Sequence, residues 1–400
     1  MQHGFLKGRS VLTNLLLYND FLSTAFREKF KVDSIYIDFS KAFDTVNHRL
    51  LLQKIWNIGI RGKLHSWLQS YLVGRTQRVR SCGSMSYPFA TPSGVPQGSN
   101  IGPILFILFI NDLPGTLKDS AILLYADDAK IYKIVKSPSD ALLLQRDLDR
   151  LHSWAIRNGL QINLLKCNVI SFLRGVSTFE FEYSIDSVML DKVDTIRDLG
   201  VIYDKSLTFE EQIKVVTKKC SKILGFIRNV TFDFRSPHTL AHLYKSLLLP
   251  VLSYCSPSWF PYTQTALSQL VAIEHKFLRL ASKKTPHPMH FFDHNYDPIR
   301  QLLRLPKLET FLKKQDCIVS YNIAKGLYSS KEVNSLFTTR NISHNLRNPL
   351  PLSQSLLTRN YLIGSSTNRL QSRWNNLPRS LRDSPSLPAF KSNLSKFLAQ

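Results

Sequence analysis

The chain has 400 residues, 44% of them hydrophobic, and carries 52 Lys+Arg against 29 Asp+Glu, a net charge of +23. That is enough apolar material for a sizeable core, and the excess of positive charge points to a polyanionic partner, nucleic acid or a membrane surface. Five cysteines without a Cys-x-x-Cys pair suggest neither a disulfide framework nor a zinc knuckle, the longest apolar run, 104–110, is too short for a bilayer, and no signal-peptide pattern is present, so a soluble, intracellular chain, nuclear or cytoplasmic, is expected.

The charge is uneven. Residues 1–200 hold 24 Lys+Arg against 18 Asp+Glu, and residues 201–400 hold 28 against 11, balances of +6 and +17. The second half lacks the long amphipathic basic face of a membrane binder, which leaves nucleic acid as the expected partner and no membrane.

In chain order, Leu12, Leu15, Leu16, Phe21 and Leu22 recur at helical spacing over 10–30, with Ser10 as a cap. Residues 32–39 read as an alternating apolar strand that delivers Asp38 at its end. From Ser40 the period turns helical to Gly59, and 62–71 reads as a second helix. Residues 77–81 and 87–91, joined by Gly83-Ser84, read as a hairpin. The Gly94-Val95-Pro96-Gln97-Gly98 punctuation opens an apolar helix to Asn111. Residues 121–124 and 131–135 form the arms of a second hairpin, with Tyr125-Ala126-Asp127-Asp128 at its tip. A helix follows over 139–158, a strand over 167–173 and a hairpin element over 194–203. After about 207 the signals are helical: 208–230, 237–249, 266–281, 297–303 and 308–328. From 329 onward Ser-, Asn- and Pro-rich stretches precede a terminal helix, 388–398.

This order predicts an α+β chain, a mixed antiparallel sheet with helices on one face followed by an α-helical region. The expected division is 1–30, 31–206, a basic helical 207–328, and a C-terminal extension over 329–400.

Adjacent carboxylates at a hairpin tip repel and raise each other's pKa. A bound divalent cation offsets that cost, because hard cations take oxygen ligands. Alone, Asp127-Asp128 reads as an ordinary turn. Asp38, at the end of a neighbouring strand, can complete a three-carboxylate patch suited to two Mg²⁺ ions and phosphoryl transfer. Two other constellations are weaker. His287, His290, Asp293 and His294 have zinc-ligand spacing on a helix, but Pro286 and Pro288 interrupt it and favour a loop. Trp259, Phe260 and Tyr262 could stack on bases or pack between helices.

Three segments then converge: Tyr36-Ile-Asp38-Phe39-Ser-Lys-Ala-Phe43-Asp44, Gly94-Val-Pro-Gln97-Gly98-Ser-Asn-Ile-Gly102-Pro103 and Tyr125-Ala-Asp127-Asp128. In this order they resemble the successive polymerase motifs of reverse transcriptases. Gln2-His3-Gly4-Phe5 and the run over 105–114 narrow the resemblance to the non-LTR (LINE-type, jockey-like) retrotransposon branch. Leu160-Gln-Ile-Asn163-Leu-Leu-Lys166, Leu199-Gly200-Val201 and Trp374-Asn375 … Phe390-Lys391 extend it over nearly the whole chain, densely to about residue 210.

The resemblance implies a right-hand polymerase: a remnant of fingers over 1–30, a palm over 31–206 and a thumb over 207–328. It implies RNA-directed DNA synthesis from dNTPs on an RNA template and a DNA primer or target. Asp38, Asp127 and Asp128 match the catalytic, metal-binding aspartates for two Mg²⁺ ions, with Mn²⁺ as an alternative ion. The Phe39 carbonyl would lie beside one ion, and Phe43 matches the aromatic that excludes a ribose 2′-hydroxyl, with helix packing as its other reading. Gln97 and Gly98 match the loop supporting nucleotide and template, and Tyr125 the nucleotide-facing residue of the hairpin. Lys166 falls at a basic position that could protonate pyrophosphate, or is a solvated lysine. The 199–203 element matches the primer grip. The early fingers and an endonuclease domain of that family have no counterpart in this sequence, which implies an N-terminally truncated copy. Two readings stay open: an active polymerase, or a catalytically impaired remnant binding nucleic acid through its basic half.

Overall fold

The computed structural model describes residues 1–175, 179–234, 236–285, 295–337, 352 and 360–398. It divides into two units: Met1–Asn14 with Ala25–Ile196, and Leu15–Thr24 with Arg197–Gln400. The first helix, Val11–Arg27, therefore gives its middle stretch to the second unit.

In the first unit, a five-stranded sheet runs Asp191–Lys192, Asn168–Phe172, Lys31–Ile37, Asp128–Val135, Ala121–Tyr125. All neighbours are antiparallel except Asp191–Lys192, which pairs parallel to Asn168–Phe172. The sheet is thus mixed, as expected. The period-2 pattern fixes the register: Ile35 opposes Ile131 and Val169, while Ile37 and Leu124 both oppose Ala129. These side chains share one face. They form one apolar core with Phe106 and Phe109 of the helix Gly102–Ile110 and with Leu148, Leu151 and Trp154 of the helix Pro138–Asn158. At about 25 cal/mol per Å², burying side chains of this size contributes roughly 2 kcal/mol each, enough to hold the strand ends in fixed places.

Two local departures from the expected elements have a common cause. The helical stretch from Ser40 breaks into Ala42–Thr45 and His48–Asn57. The apolar helix starts at Gly102 rather than just after Gly98. In both places the backbone is committed elsewhere: Gly94 N donates to Val46 O (2.8 Å) and Val95 N to Phe43 O (2.8 Å) at the first break, while before Gly102 Ser99 N turns back to Pro96 O (3.4 Å) and Gly102 N donates to Ser99 Oγ (2.9 Å). Asn47 then caps the following helix, accepting from Leu50 N at 3.1 Å. The Gly83-Ser84 hairpin is present as two short ladders, Thr76–Gln77 with Phe89–Ala90 and Arg80–Ser81 with Ser84–Met85.

The second unit is helical. Its helices are Glu210–Val230, Pro237–Leu243, Leu249–Ser253, Gln264–Ser282, Asp297–Leu303, Leu308–Ala324, Ser366–Asn375 and Leu387–Phe397, with shorter turns between them. The expected single helix over 237–249 contains a π-helical turn, Tyr244–Leu248, and Pro250, at the second position of the next segment, fits such a restart. The helix Ser366–Asn375 was not expected, because its Ser/Asn-rich surface dilutes the apolar stripe of Leu370 and Trp374. A buried ion pair anchors it: Arg369 Nε lies 2.9 Å from Asp316 Oδ2, a side chain without solvent exposure. No helix among the described residues is long and apolar enough to cross a membrane.

Candidate active site

The site is built where three strands end. Ile37 and Ala129 are the last pair of their ladder, so the next residues along each strand are Asp38 and Asp128. On the other side, Tyr125 pairs with Asp128. Only Ala126 and Asp127 remain for the turn, and Ala126 adopts a left-handed φ of 56°. A two-residue hairpin loop requires positive φ, and here a non-glycine residue supplies it.

Asp127 is half-buried and Asp128 exposed. Burial pushes the Asp127 carboxyl above the usual carboxylate range; its own backbone N–H opposes this, and the charge of Asp38 reinforces it. Asp38 and Asp127 are therefore electrostatic neighbours. Among the described residues no group of three or more His, Cys, Asp or Glu is placed to hold a metal ion; Asp128 follows Asp127 at the start of the next strand.

Asp38 is fixed through its main chain. Asn163 N donates to Asp38 O (2.8 Å), and Ser40 N to Gln161 O (2.8 Å), so the loop after the helix Pro138–Asn158 lies against the strand end. The 3₁₀ turn Leu164–Lys166 follows directly. It carries Lys166 Nζ to 3.5 Å from Asp38 Oδ2. The pair is well exposed, so its energy is at most about 1 kcal/mol; its value is positional. A pair of carboxylates, one pushed above its usual pKa chiefly by burial and further by the charge of the other, with an ammonium drawn to it, is a donor set that fits a hard divalent cation.

The Gln97 loop lies against the turn after Asp38. Gly94 has φ of +85°, and a Cβ there would sit 2.7 Å from Asp44 O. His48 Nε2 donates to Gly94 O at 2.7 Å, and Gln97 Nε2 to Asp44 Oδ1 at 2.7 Å. Ser99 Oγ donates to Pro96 O and accepts from Gly102 N, closing the loop onto the apolar helix. Gly98 is exposed with open space around its α-carbon. Phe43 is half-buried, stacked on Phe106 at 4.2 Å and meeting Phe5 edge-on at 6.2 Å. Phe39 is 4% exposed in the core.

A profile for the reverse transcriptase (RNA-dependent DNA polymerase) domain matches residues 1–228, more than half of the chain. The chain belongs to the reverse transcriptase family. It is 28% identical over 290 residues to a probable RNA-directed DNA polymerase from transposon BS of Drosophila melanogaster, covering 70% of this chain and 32% of that one. To the RNA-directed DNA polymerase from mobile element jockey of Drosophila funebris it is 27% identical over 298 residues, again covering 70% and 32%. The chain thus spans about a third of the length of these relatives. The structure of apo telomerase from Candida tropicalis aligns over 80% of this chain and 55% of its own, at 15% identity and a TM-score of 0.36, too low to bear on the fold.

Within this reverse transcriptase-family chain, two motif residues make contacts that the motifs themselves do not reveal. One is Gly94, whose contact with Asp44 is tighter than anything around Gly98. The other is Gln2, whose side-chain amide is buried against the Asp-Asp hairpin, donating to Ala126 O at 3.0 Å and accepting from Ala126 N at 2.9 Å. Sequence places it in the Gln2-His3-Gly4-Phe5 motif; only the fold brings it to the turn. Of the aromatic candidates, Trp259 (1% exposed) and Phe260 (7%) are buried, with Trp259 Nε1 donating to Tyr254 O, which is core packing. The His287, His290, Asp293 and His294 group lies outside the described residues.

Proposed function

We propose that this chain carries the polymerase core of a non-LTR, jockey-like retrotransposon's RNA-directed DNA polymerase, joining dNTPs to a primer 3′-hydroxyl. The observation that carries this reading is the convergence of two strand ends, which sets Asp38, just after the Ile37–Ala129 pair, beside the Ala126-Asp127 turn closed by the Tyr125–Asp128 pair. Asp38, Asp127 and Asp128 would hold the divalent ions. Bound there, two Mg²⁺ ions supply charge neutralisation and Lewis-acid activation of the attacking and leaving oxygens.

The protein's own part is orientation. The Asn163–Asp38 main-chain bond and the Ala126-Asp127 turn fix the two carboxylates. Lys166, already drawn to Asp38, is the group to neutralise or protonate departing pyrophosphate, a general-acid role. Gln97, held by Asp44, would support the nucleotide, and Gly98 and Tyr125 would line the same side. Phe43, buttressed by Phe106, would exclude a 2′-hydroxyl, and the Phe39 carbonyl would face one ion.

Binding of an RNA template is supported by a second surface of the same unit. No Asp or Glu occurs between Asp44 and Asp112, while seven Lys+Arg do. On the helices His48–Asn57 and Gly62–Leu72, Trp56 and Trp67 are exposed, Arg61 lies over Trp56, and Trp67 stacks on Tyr71. Exposed rings interleaved with basic groups are the arrangement that holds single strands.

Primer extension on poly(rA)/oligo(dT) with Mg²⁺ tests the reading. Asp127→Asn is expected to abolish incorporation while duplex binding stays within about twofold; undiminished synthesis would overturn the site. The second reading, a nucleic-acid-binding remnant, rests on the balance of +17 carried by residues 201–400. That reading predicts salt-sensitive duplex binding with no incorporation by the unsubstituted chain in either Mg²⁺ or Mn²⁺.

A further inference from the structure

The turn that presents Asp127 is an isolated two-residue loop, and its backbone groups should face solvent. They do not. Gln2, 4% exposed, lies beside the turn and satisfies both polar groups of Ala126, donating from Nε2 to Ala126 O (3.0 Å) and accepting at Oε1 from Ala126 N (2.9 Å). The same Oε1 accepts from His3 N (2.9 Å) and Gly4 N (2.8 Å). Four bonds converge on one amide, and the three N–H donors fix which atom is oxygen.

The segment around Gln2 is itself tied down. Leu124 N donates to Met1 O and His3 N to Leu124 O, both at 2.9 Å, so residues 1–3 run parallel beside the strand Ala121–Tyr125. The Gln2 side chain continues that ladder by one more rung, to the turn. Asn14 Nδ2 donates to Leu124 O (3.1 Å), and His3 Nδ1 meets Thr13 Oγ1 at 2.8 Å. Gly4 passes so close that a Cβ would lie 2.4 Å from Ala126 N.

From this geometry we infer that Gln2 is a positioning residue for the Asp38–Asp127 pair: its amide locks the Ala126 peptide, and through it the Asp127 backbone, in a left-handed turn that alanine would otherwise leave readily. The inference rests on the polymerase reading for its catalytic meaning, but its structural content stands apart. A methionine at position 2 keeps the length and volume of the side chain and removes all four bonds. Glutamate keeps the acceptor, loses the donor, and sets a carboxylate against Ala126 O.

The test combines amide hydrogen exchange, Mn²⁺ binding followed by electron paramagnetic resonance, and primer extension, on the full chain with Gln2→Met and Gly4→Ala. Gly4→Ala pushes the same turn from the other side. Expected results are at least tenfold faster exchange at Ala126 and Asp127 with unchanged protection in the helix Pro138–Asn158. Mn²⁺ affinity should weaken several-fold, and kcat for dNTP addition should fall roughly a hundredfold, as for a misplacement of about 1 Å, with duplex affinity retained. Gln2→Glu should not restore kcat. Unchanged exchange at the turn, kcat within threefold of the unsubstituted chain, or faster exchange throughout the unit in both variants would each overturn the assignment. Failure of the unsubstituted chain to incorporate dNTPs would sink the polymerase reading instead, and Gln2 would then be judged on exchange and Mn²⁺ affinity alone.

Discussion

Asp127 is held in a state that is unfavourable for folding. A carboxyl whose folded-state pKa is raised binds its proton more tightly when folded, so its contribution to stability is present at low pH and is lost as pH rises through the folded value. Burial, then the charge of Asp38, causes that rise. Without divalent cation at neutral pH, Asp127→Asn should therefore raise the melting temperature even as it removes activity, and the gain should vanish below about pH 3.8, where both forms are neutral. Calorimetry across pH checks the sign. Gly94→Ala should do the opposite. Its φ of +85° and the 2.7 Å approach to Asp44 O set a cost of at least about 2 kcal/mol, measurable by urea unfolding, while Gly98→Ala, with free space but also positive φ, should cost about 1 kcal/mol. At Phe43, packing and function meet: the stacked Phe106 contact predicts that Phe43→Val loosens the core by about 1 kcal/mol and narrows the preference for dNTPs over rNTPs.

The elements around the site show what sequence could convey. The Asp-Asp hairpin, its flanking helix and the strand ending at Asp38 were legible, because each combines a clear period with a distinctive polar residue where the period stops. Motif order then identified the catalytic candidates. What stayed hidden were contacts made by residues of ordinary type across long separations. Asp147 is an example. It reads as a surface position of a charged helix, yet it is fully buried and accepts from Lys118 N, Asp119 N and Ser120 N at 2.9, 2.8 and 2.7 Å. These bonds launch the strand Ala121–Tyr125. Burial alone would raise its carboxyl, but the backbone donors and Arg150 hold it below 3.8. Its stabilisation is thus present above that value and lost as pH falls through the folded pKa. Asp147→Ala, leaving three N–H groups without their acceptor, is expected to cost about 3 kcal/mol at pH 7, with a smaller difference in acid. Similarly, Trp56→Ala with Trp67→Ala should weaken single-stranded RNA binding by about 1–3 kcal/mol per stacked base, read by fluorescence titration.

At the scale of the whole chain, charge and chemistry are separated. The Asp38–Asp127 pair lies in the first unit, whereas +17 of the +23 net charge falls in residues 201–400. Affinity for a duplex should therefore drop steeply with salt, about 10³-fold or more between 50 and 200 mM if six or more phosphates are contacted, and Asp127→Asn should leave that slope unchanged. The bond from Gln2 to Ala126 joins positions 124 residues apart. The sheet itself closes over as great a separation, since Val32 pairs with Phe172 and Ile35 with Val169, and closing long loops is slow. The catalytic turn is thus completed by the same class of long-range contact as the sheet, so a closed fold and a competent site are acquired together.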